Sequence, residues 1–235
     1  MTSTLLLLLK GPMQSWGDAS RYRDRATGAH PTKSGVLGLI AAADGRRRSD
    51  DIEDLARLRF AVRVDQPGSL LRDYQTAEDW QRGGGTSLVS RYYLSDAVFL
   101  AAVETEDRSL LESIAEKLRS PRFPLYLGRR SCPVSPDLVQ GIVATDAVTA
   151  LREAPWHASP SHRRTRPTTL ELPLFRDGMP GEEGEARQDI PLSFDQAHRR
   201  YGWRTVVREE VGAKVDNGAL GNDRFDPFFE AVVSA

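Results

Sequence analysis

The sequence predicts an α+β fold, ferredoxin-like in its order of elements, with an inserted hairpin arm and a β-rich C-terminal region. Four apolar runs, at residues 4–9, 58–65, 96–104 and 138–144, have the length and composition of buried strands. A helix is indicated between the first two runs and another between the last two, which gives the order βαββαβ. Sheets of this kind commonly bind RNA on an open face.

The two predicted helices are marked by their ends. Thr32 is positioned to cap a helix whose apolar residues recur at helical spacing until Gly45 ends it. Asp107 is positioned to cap the second helix, over 107–120, which is amphipathic and is followed by a proline. Each helix therefore has one apolar face to present to the sheet.

An arm is predicted between the second and third strands. The chain there carries a triple glycine, 83-GGG-85, between segments rich in aromatic residues. Glycine suits the tip of a hairpin, so about residues 70–93 are expected to leave the sheet as an arm.

The pattern weakens after residue 147. Short strands are predicted at 190–194 and 204–211, and the Gly- and Glu-rich segment 177–189 is predicted to be mobile. The chain is accordingly divided into a ferredoxin-like domain, residues 1–147, and a β-rich region, 148–235, packed on it.

The composition indicates a soluble globular protein of 235 residues, 40% of them hydrophobic. The run 5-LLLLL-9 is too short for a signal segment or a membrane span. A single cysteine, Cys132, excludes an internal disulfide and suits a reducing compartment. A cytoplasmic protein with no membrane partner is the default expectation.

The net charge is −1, but the charges alternate along the chain. Residues 1–48 and 119–166 each carry eight Lys or Arg against three Asp or Glu. If these segments meet in the fold, they form a positive surface typical of a nucleic-acid or phosphate site, whereas ordinary solvated charge is the alternative. The arginines of 21-RYRDR-25 alternate and so share one side of an extended segment, but 46-RRR-48 follows a helix C-terminus, where cations are favoured for a local reason.

The stretch 28-GAHPTKSG-35 resembles a phosphate-binding loop only superficially. Such a loop needs G-x-x-x-x-G-K-[ST], and here the spacing is one residue short and Thr32 stands in place of the second glycine. Nucleotide hydrolysis is therefore not favoured. What remains is a helix N-terminus with Lys33 and Ser34, which attracts anions such as a phosphodiester, unless Thr32 is simply a cap without a ligand.

Other chemistry is weakly indicated. The four histidines lack metal-ligand spacing, so no metal or cofactor is predicted. Cys132, near two arginines, is either an activated thiol or a small buried apolar residue. A metal-independent ribonuclease is the second function considered, with His30 as general base and Tyr22 and Lys33 stabilising charge.

Long motifs along nearly the whole chain resemble one family. They are the block 6–45, which contains 11-GPMQSWG-17 and 31-PTKSG-35, and the segments 73-DYQTAED-79, 91-RYYLSDAVFL-100, 123-FPLYLGRRSCP-133 and 225-FDPFFE-230. These motifs resemble the CasD subunits of type I-E CRISPR Cascade complexes.

The resemblance implies a non-catalytic RNA-binding subunit with a ferredoxin-like (RRM-like, RAMP) palm, a β-hairpin thumb and a C-terminal β-rich appendage. The implied partners are the 5′ handle of the CRISPR RNA, the CasC backbone subunits, the CasA large subunit and, through the complex, target DNA. The residues expected in the handle groove are Gln14, Ser15, Trp16, Arg21, Arg23, Lys33, Ser34, Arg91, Tyr92, Arg129 and Arg130.

The resemblance also bears on catalysis. Relatives in type I-C systems cleave the CRISPR repeat with a Tyr, Lys and His set, whereas type I-E complexes use a separate CasE endonuclease. This sequence resembles the type I-E pattern, and its predicted thumb contains no histidine. Repeat cleavage is therefore the alternative function, since a general base must reach the 2′-hydroxyl.

Overall fold

The computed structural model describes residues 1–17, 24–78, 86–195 and 198–218. The strands are β1 (Ser3–Lys10), β2 (Met13–Gln14), β3 (Asp24–Arg25), β4 (Arg59–Gln66), β5 (Ser69–Ala77), β6 (Ser87–Ser95), β7 (Val98–Thr105), β8 (Val139–Val143), β9 (Thr169–Leu172), β10 (Leu174–Asp177), β11 (Glu185–Ser193), β12 (Arg200–Arg208) and β13 (Ala213–Asp216). The helices are α1 (Lys33–Asp44), α2 (Glu53–Ala56), α3 (Arg108–Arg119), α4 (Ala147–Glu153) and α5 (Pro160–Arg163).

Seven strands form one antiparallel sheet in the order β11–β12–β10–β4–β7–β1–β8. The four strands predicted from the apolar runs are confirmed, and they occupy adjacent positions from β4 to β8. Strands β10, β12 and β11 continue the sheet beyond β4. These three C-terminal strands are therefore joined to the central strands by backbone hydrogen bonds, whereas β9 and β13 pair only with each other. The division of the chain at residue 147 stays a prediction.

Helices α1 and α3 lie on one face of the sheet, over Leu5, Leu7 and Leu9 of β1. Both predicted caps are confirmed: the hydroxyl of Thr32 accepts from the Gly35 N–H at 3.2 Å, and a carboxylate caps α3 in the same way. No helix in the described part of the chain is long and apolar enough to cross a membrane.

The opposite face of the sheet is covered by α4, so the expectation of an open RNA-binding face is wrong for this area. Leu151 of α4 packs with the alternate β1 residues, Leu6 and Leu8. Burial on both faces explains why β1 is a continuous apolar run. Below α4, the fully buried Arg63 pairs with Asp65 at 2.7 Å and donates to backbone carbonyls at the end of the helix.

The predicted arm is confirmed as a hairpin, since β5 and β6 pair from Ser69–Ser95 to Ala77–Ser87. Its predicted glycine tip, 83–85, lies outside the described residues. Gly68 fixes the hairpin root, because its φ is +74° and an added Cβ would lie 2.4 Å from the Ser95 carbonyl oxygen. The Gln66 side chain also donates to the Asp96 carbonyl at 2.6 Å.

The segment 177–189, predicted to be mobile, is instead held in place. Its last residues belong to β11, and Asp189 is only 1% exposed. Arg176 donates two hydrogen bonds to Glu182, which lowers the pKa of that carboxyl to about 2. The composition alone suggests mobility because it does not show which charges are paired. In the fold, charged residues of this segment bind charged residues elsewhere in the chain.

Candidate nucleic-acid interface

A groove of about 540 Å³ runs along α1. It is bordered by the loop 123–130 and by the turn between β11 and β12. Six arginines from three parts of the chain line it: Arg46, Arg47, Arg48, Arg129, Arg130 and Arg199. Among the described residues, no Asp or Glu contributes to the lining. The basic segments 1–48 and 119–166 therefore meet in the fold, as the charge pattern suggested, and we call this feature the arginine groove.

Most of these arginines are open to an external anion. Two of the six have partners inside the protein. Arg46 pairs with Asp44 at 2.8 Å and with Asp54, and so has the structural role predicted for 46-RRR-48. The Arg129 guanidinium lies over the Tyr93 ring. The remaining four are exposed, and their side chains form no ion pair with any residue in the described ranges; they are Arg47, Arg48, Arg130 and Arg199. Guanidinium groups bind phosphate oxygens through paired N–H donors.

Aromatic rings lie among the arginines of the groove. They belong to Phe123, Tyr126, Phe194 and Tyr201. Phe194 packs on the helix at Gly38, where an added Cβ would be 3.4 Å from the ring. Rings next to guanidinium groups suit a single-stranded nucleic acid, since bases stack on the rings while phosphates pair with the cations.

The turn 128-GRR-130 is fixed against the segment that contains Ser15. The Ser15 N–H donates to the Leu127 carbonyl at 3.1 Å, and an added Cβ on Gly128 would lie 1.7 Å from the Ser15 carbonyl oxygen. Ser15 is itself buried, and its hydroxyl donates to the Tyr92 carbonyl in the hairpin. Ser15 thus joins the hairpin to the turn that carries Arg129 and Arg130.

The predicted RNA contacts by the Gln14 and Trp16 side chains do not fit their placement. The buried Gln14 amide donates to the carbonyls of Leu9 and Ala97, and Trp16 Nε1 donates to Gln14 Oε1 at 3.0 Å. The Trp16 ring packs against Gly35, where an added Cβ would be 2.9 Å away. Both side chains therefore have structural partners in the core.

The predicted anion site at the N-terminus of α1 is occupied by the chain itself. The Lys33 N–H donates to Asp189 at 2.8 Å, and Lys33 Nζ pairs with Asp177 at 2.8 Å. Lys33 is only 5% exposed, so the expectation that it binds a phosphate is corrected: its charge is neutralised internally. Ser34, the next residue, does line the arginine groove.

The β5–β6 hairpin brings further predicted residues next to the turn 128-GRR-130. The Arg129 guanidinium lies 4.7 Å above the Tyr93 ring. Burial raises the pKa of Tyr93, but hydrogen bonds from Ser131, Arg129 and Arg91 outweigh it, so the pKa is lowered overall. Arg91 Nε is buried and has no hydrogen-bond partner within the described ranges.

Of the remaining predicted residues, Tyr92 is half-buried in β6, with the Arg72 guanidinium 5.9 Å from its ring. Arg21 and Arg23 lie outside the described residues. Ser34, Arg91, Arg129 and Arg130 are therefore the predicted side chains that the structure brings to or near the groove.

The groups considered for catalysis do not converge. His30 is buried and stacked on Phe175 at 4.3 Å, and burial, with Arg187, lowers its pKa. Burial raises the pKa of the Cys132 thiol, which confirms the apolar interpretation of that residue. Tyr22 lies outside the described residues, and no group of three potential metal ligands occurs within them.

Comparisons with known proteins all find CRISPR-associated proteins. Residues 4–207 match the family described as CRISPR-associated protein (Cas_Cas5). The CRISPR system Cascade subunit CasD of Escherichia coli (strain K12) is 40% identical over 161 residues, which cover 60% of this chain and 71% of the relative.

Two solved structures are also similar. A chain of a CRISPR RNA-guided surveillance complex matches with a TM-score of 0.76 and 32% identity, over 99% of this chain and 100% of that chain. A crystal structure of a Cas protein matches with a TM-score of 0.66 and 38% identity, over 89% and 95% of the two chains.

Proposed function

The chain belongs to the CRISPR-associated protein (Cas_Cas5) family, and we propose that it is the RNA-binding subunit of a type I-E Cascade complex that grips the 5′ handle of the CRISPR RNA. The arginine groove carries the proposal. Four of its arginines have no internal ion pair among the described residues, its lining there contains no carboxylate, and aromatic rings lie between the cations. A single-stranded RNA offers the phosphates and unpaired bases that such a groove binds.

In this proposal, β1, β4, β7 and β8 with α1 and α3 form a ferredoxin-like palm. The strand order β4–β7–β1–β8 and the antiparallel pairing support that assignment. The β5–β6 hairpin is the thumb, and the handle follows the groove towards Arg91 and Tyr92 at its base.

The proposed partners are the backbone and large subunits of the same complex. The similar E. coli protein is named as a Cascade subunit, and the most extensively aligned of the two solved chains comes from a surveillance complex. We expect this chain to cap the filament of CasC backbone subunits, with the CasA large subunit nearby and target DNA bound only through the complex.

The test compares two triple variants of equal charge change. The first, Arg47→Ala with Arg130→Ala and Arg199→Ala, removes cations from the groove. The control, Arg57→Ala with Arg108→Ala and Arg119→Ala, removes exposed arginines elsewhere, two of them from exposed helical ion pairs. Binding of a single-stranded handle RNA is measured over a series of salt concentrations.

We expect the slope of log K against log salt to be less steep by about 2 in the groove variant, because each lost phosphate contact on a single strand accounts for about 0.7. The control variant should keep the wild-type slope, apart from long-range effects that salt screens. Equal slopes for both variants would exclude the groove as the RNA site.

The proposed role is non-catalytic. No histidine lines the groove in the described part of the chain, and His30 is buried elsewhere. Repeat RNA incubated with the purified protein and EDTA is therefore expected to remain intact. A product cut at one defined position would support the endoribonuclease alternative instead.

A further inference from the structure

A cluster of four charged side chains lies below the N-terminal end of α1. It consists of Lys33, Asp177, Asp189 and Arg204, which are almost entirely buried. Arg204 donates to both oxygens of Asp189, at 2.6 and 2.9 Å, and to Asp177 at 2.7 Å. Lys33 completes the cluster through its N–H and its ammonium group.

The cluster is balanced in charge and in hydrogen bonds. Two cations face two carboxylates, and each carboxylate oxygen accepts at least one hydrogen bond. The second oxygen of Asp177 also accepts from the Phe60 N–H of β4 at 3.0 Å. Removal of one carboxylate would leave two buried cations with a single counter-charge, which is strongly unfavourable in a protein interior.

Its position links it to one side of the arginine groove. We call Phe194, Arg199 and Tyr201 the turn wall, because they line the groove where β11 ends and β12 begins. Asp189 lies on the strand that enters this turn, and Arg204 lies on the strand that leaves it. Both strands are thus tied to α1 through the cluster.

We infer that Asp189 is a positioning residue for RNA binding. It holds the turn wall against α1 at the separation that lets Arg199 reach the same RNA molecule as the other groove arginines. This inference rests on the proposed function. A carboxylate is required because it accepts from Arg204 with both oxygens while also accepting from the helix N-terminus, where a negative charge is favoured. An amide in its place has one acceptor oxygen and no charge.

The test is a double-mutant cycle on the full chain with the handle RNA. Asp189→Asn is expected to weaken binding about tenfold, as the loss of one charge-assisted contact would. Arg199→Ala should weaken wild-type binding by a similar factor but add little in the Asp189→Asn background. Arg130→Ala, in the loop 123–130, should retain its full effect in that background.

This coupling is a readout that general destabilisation does not produce, because partial unfolding would lower affinity by the same factor whichever arginine is present. Additive effects of Asp189→Asn and Arg199→Ala would overturn the inference. If Asp189→Asn does not fold, Arg204→Lys serves in its place, since it keeps the charge and loses the paired donors. It is expected to show the same coupling to Arg199 and none to Arg130.

The outcomes separate the inference from the function. If Arg130→Ala and Arg199→Ala each weaken binding but the cycle with Asp189→Asn is additive, the inference fails and the function stands. If neither arginine variant alters handle binding, the proposed RNA site itself is wrong.

Discussion

Replacement of Gly128 by alanine is expected to destabilise the protein and to weaken RNA binding. Gly128 has a φ of +84°, a region that costs a residue with a side chain about 1–2 kcal/mol. The added Cβ would also lie 1.7 Å from the Ser15 carbonyl oxygen, where real contacts are essentially never under 3.0 Å. The neighbouring atom is backbone and cannot rotate away, so the two segments must separate.

Overpacking of this kind adds about 1–3 kcal/mol, which gives a total loss of about 2–5 kcal/mol in the free energy of unfolding. Gly181 is the matched control, because its φ is +82° and an added Cβ would meet nothing within 4 Å. Gly181→Ala should therefore cost only the backbone term, about 1–2 kcal/mol.

Urea denaturation of the two variants measures the difference. Handle-RNA titrations at a temperature where both are folded measure the displacement of Arg129 and Arg130, and only Gly128→Ala is expected to bind more weakly. Equal losses of stability in the two variants would refute the argument that the turn is pressed against Ser15.

Two further outcomes are expected. Arg63→Met should lower the free energy of unfolding by about 3–5 kcal/mol in a urea titration, since it leaves Asp65 as a buried carboxylate without its cation. If the double variant Arg63→Met with Asp65→Asn regains stability, that cause is supported. If it does not, the loss comes from the contacts of Arg63 with backbone carbonyls. Burial and Arg187 lower the pKa of His30, so protonation favours the unfolded chain: its stabilisation is complete above the ordinary pKa of 6.5 and declines as the pH falls below it. His30→Phe should flatten the fall in urea midpoint between pH 7.5 and 5.5, and an unchanged fall would contradict this assignment.

The helices and central strands could be predicted because their signals are local. Thr32 and Gly45 lie at the two ends of α1, and alternating or continuous apolar residues mark the strands. The order of strands in the sheet and the cover over its second face depend on contacts between distant segments. Helix α4, with seven residues, gave too short a pattern to be predicted.

The candidate site was less predictable for the same physical reason. Lys33 looked available for a phosphate because its partner Asp177 is 144 residues away. The position of 46-RRR-48 after a helix C-terminus is enough to explain its charges locally. That explanation is right for Arg46, but it gives no sign that Arg47 and Arg48 line the groove. Arg199 carried no motif at all, and only the turn between β11 and β12 brings it to the groove.

The β5–β6 arm is anchored at its root, and its movement is therefore set by the geometry of that root. Gly68, Gln66 and Asp96 clamp one end, and nine residue pairs extend from it to Ala77 and Ser87, which at strand spacing is about 26 Å. A tilt of about 5° at the clamp would move the far end by about 2 Å, more than a hydrogen bond tolerates. A small substitution at the root therefore acts at a distance, on whatever the end of the arm touches.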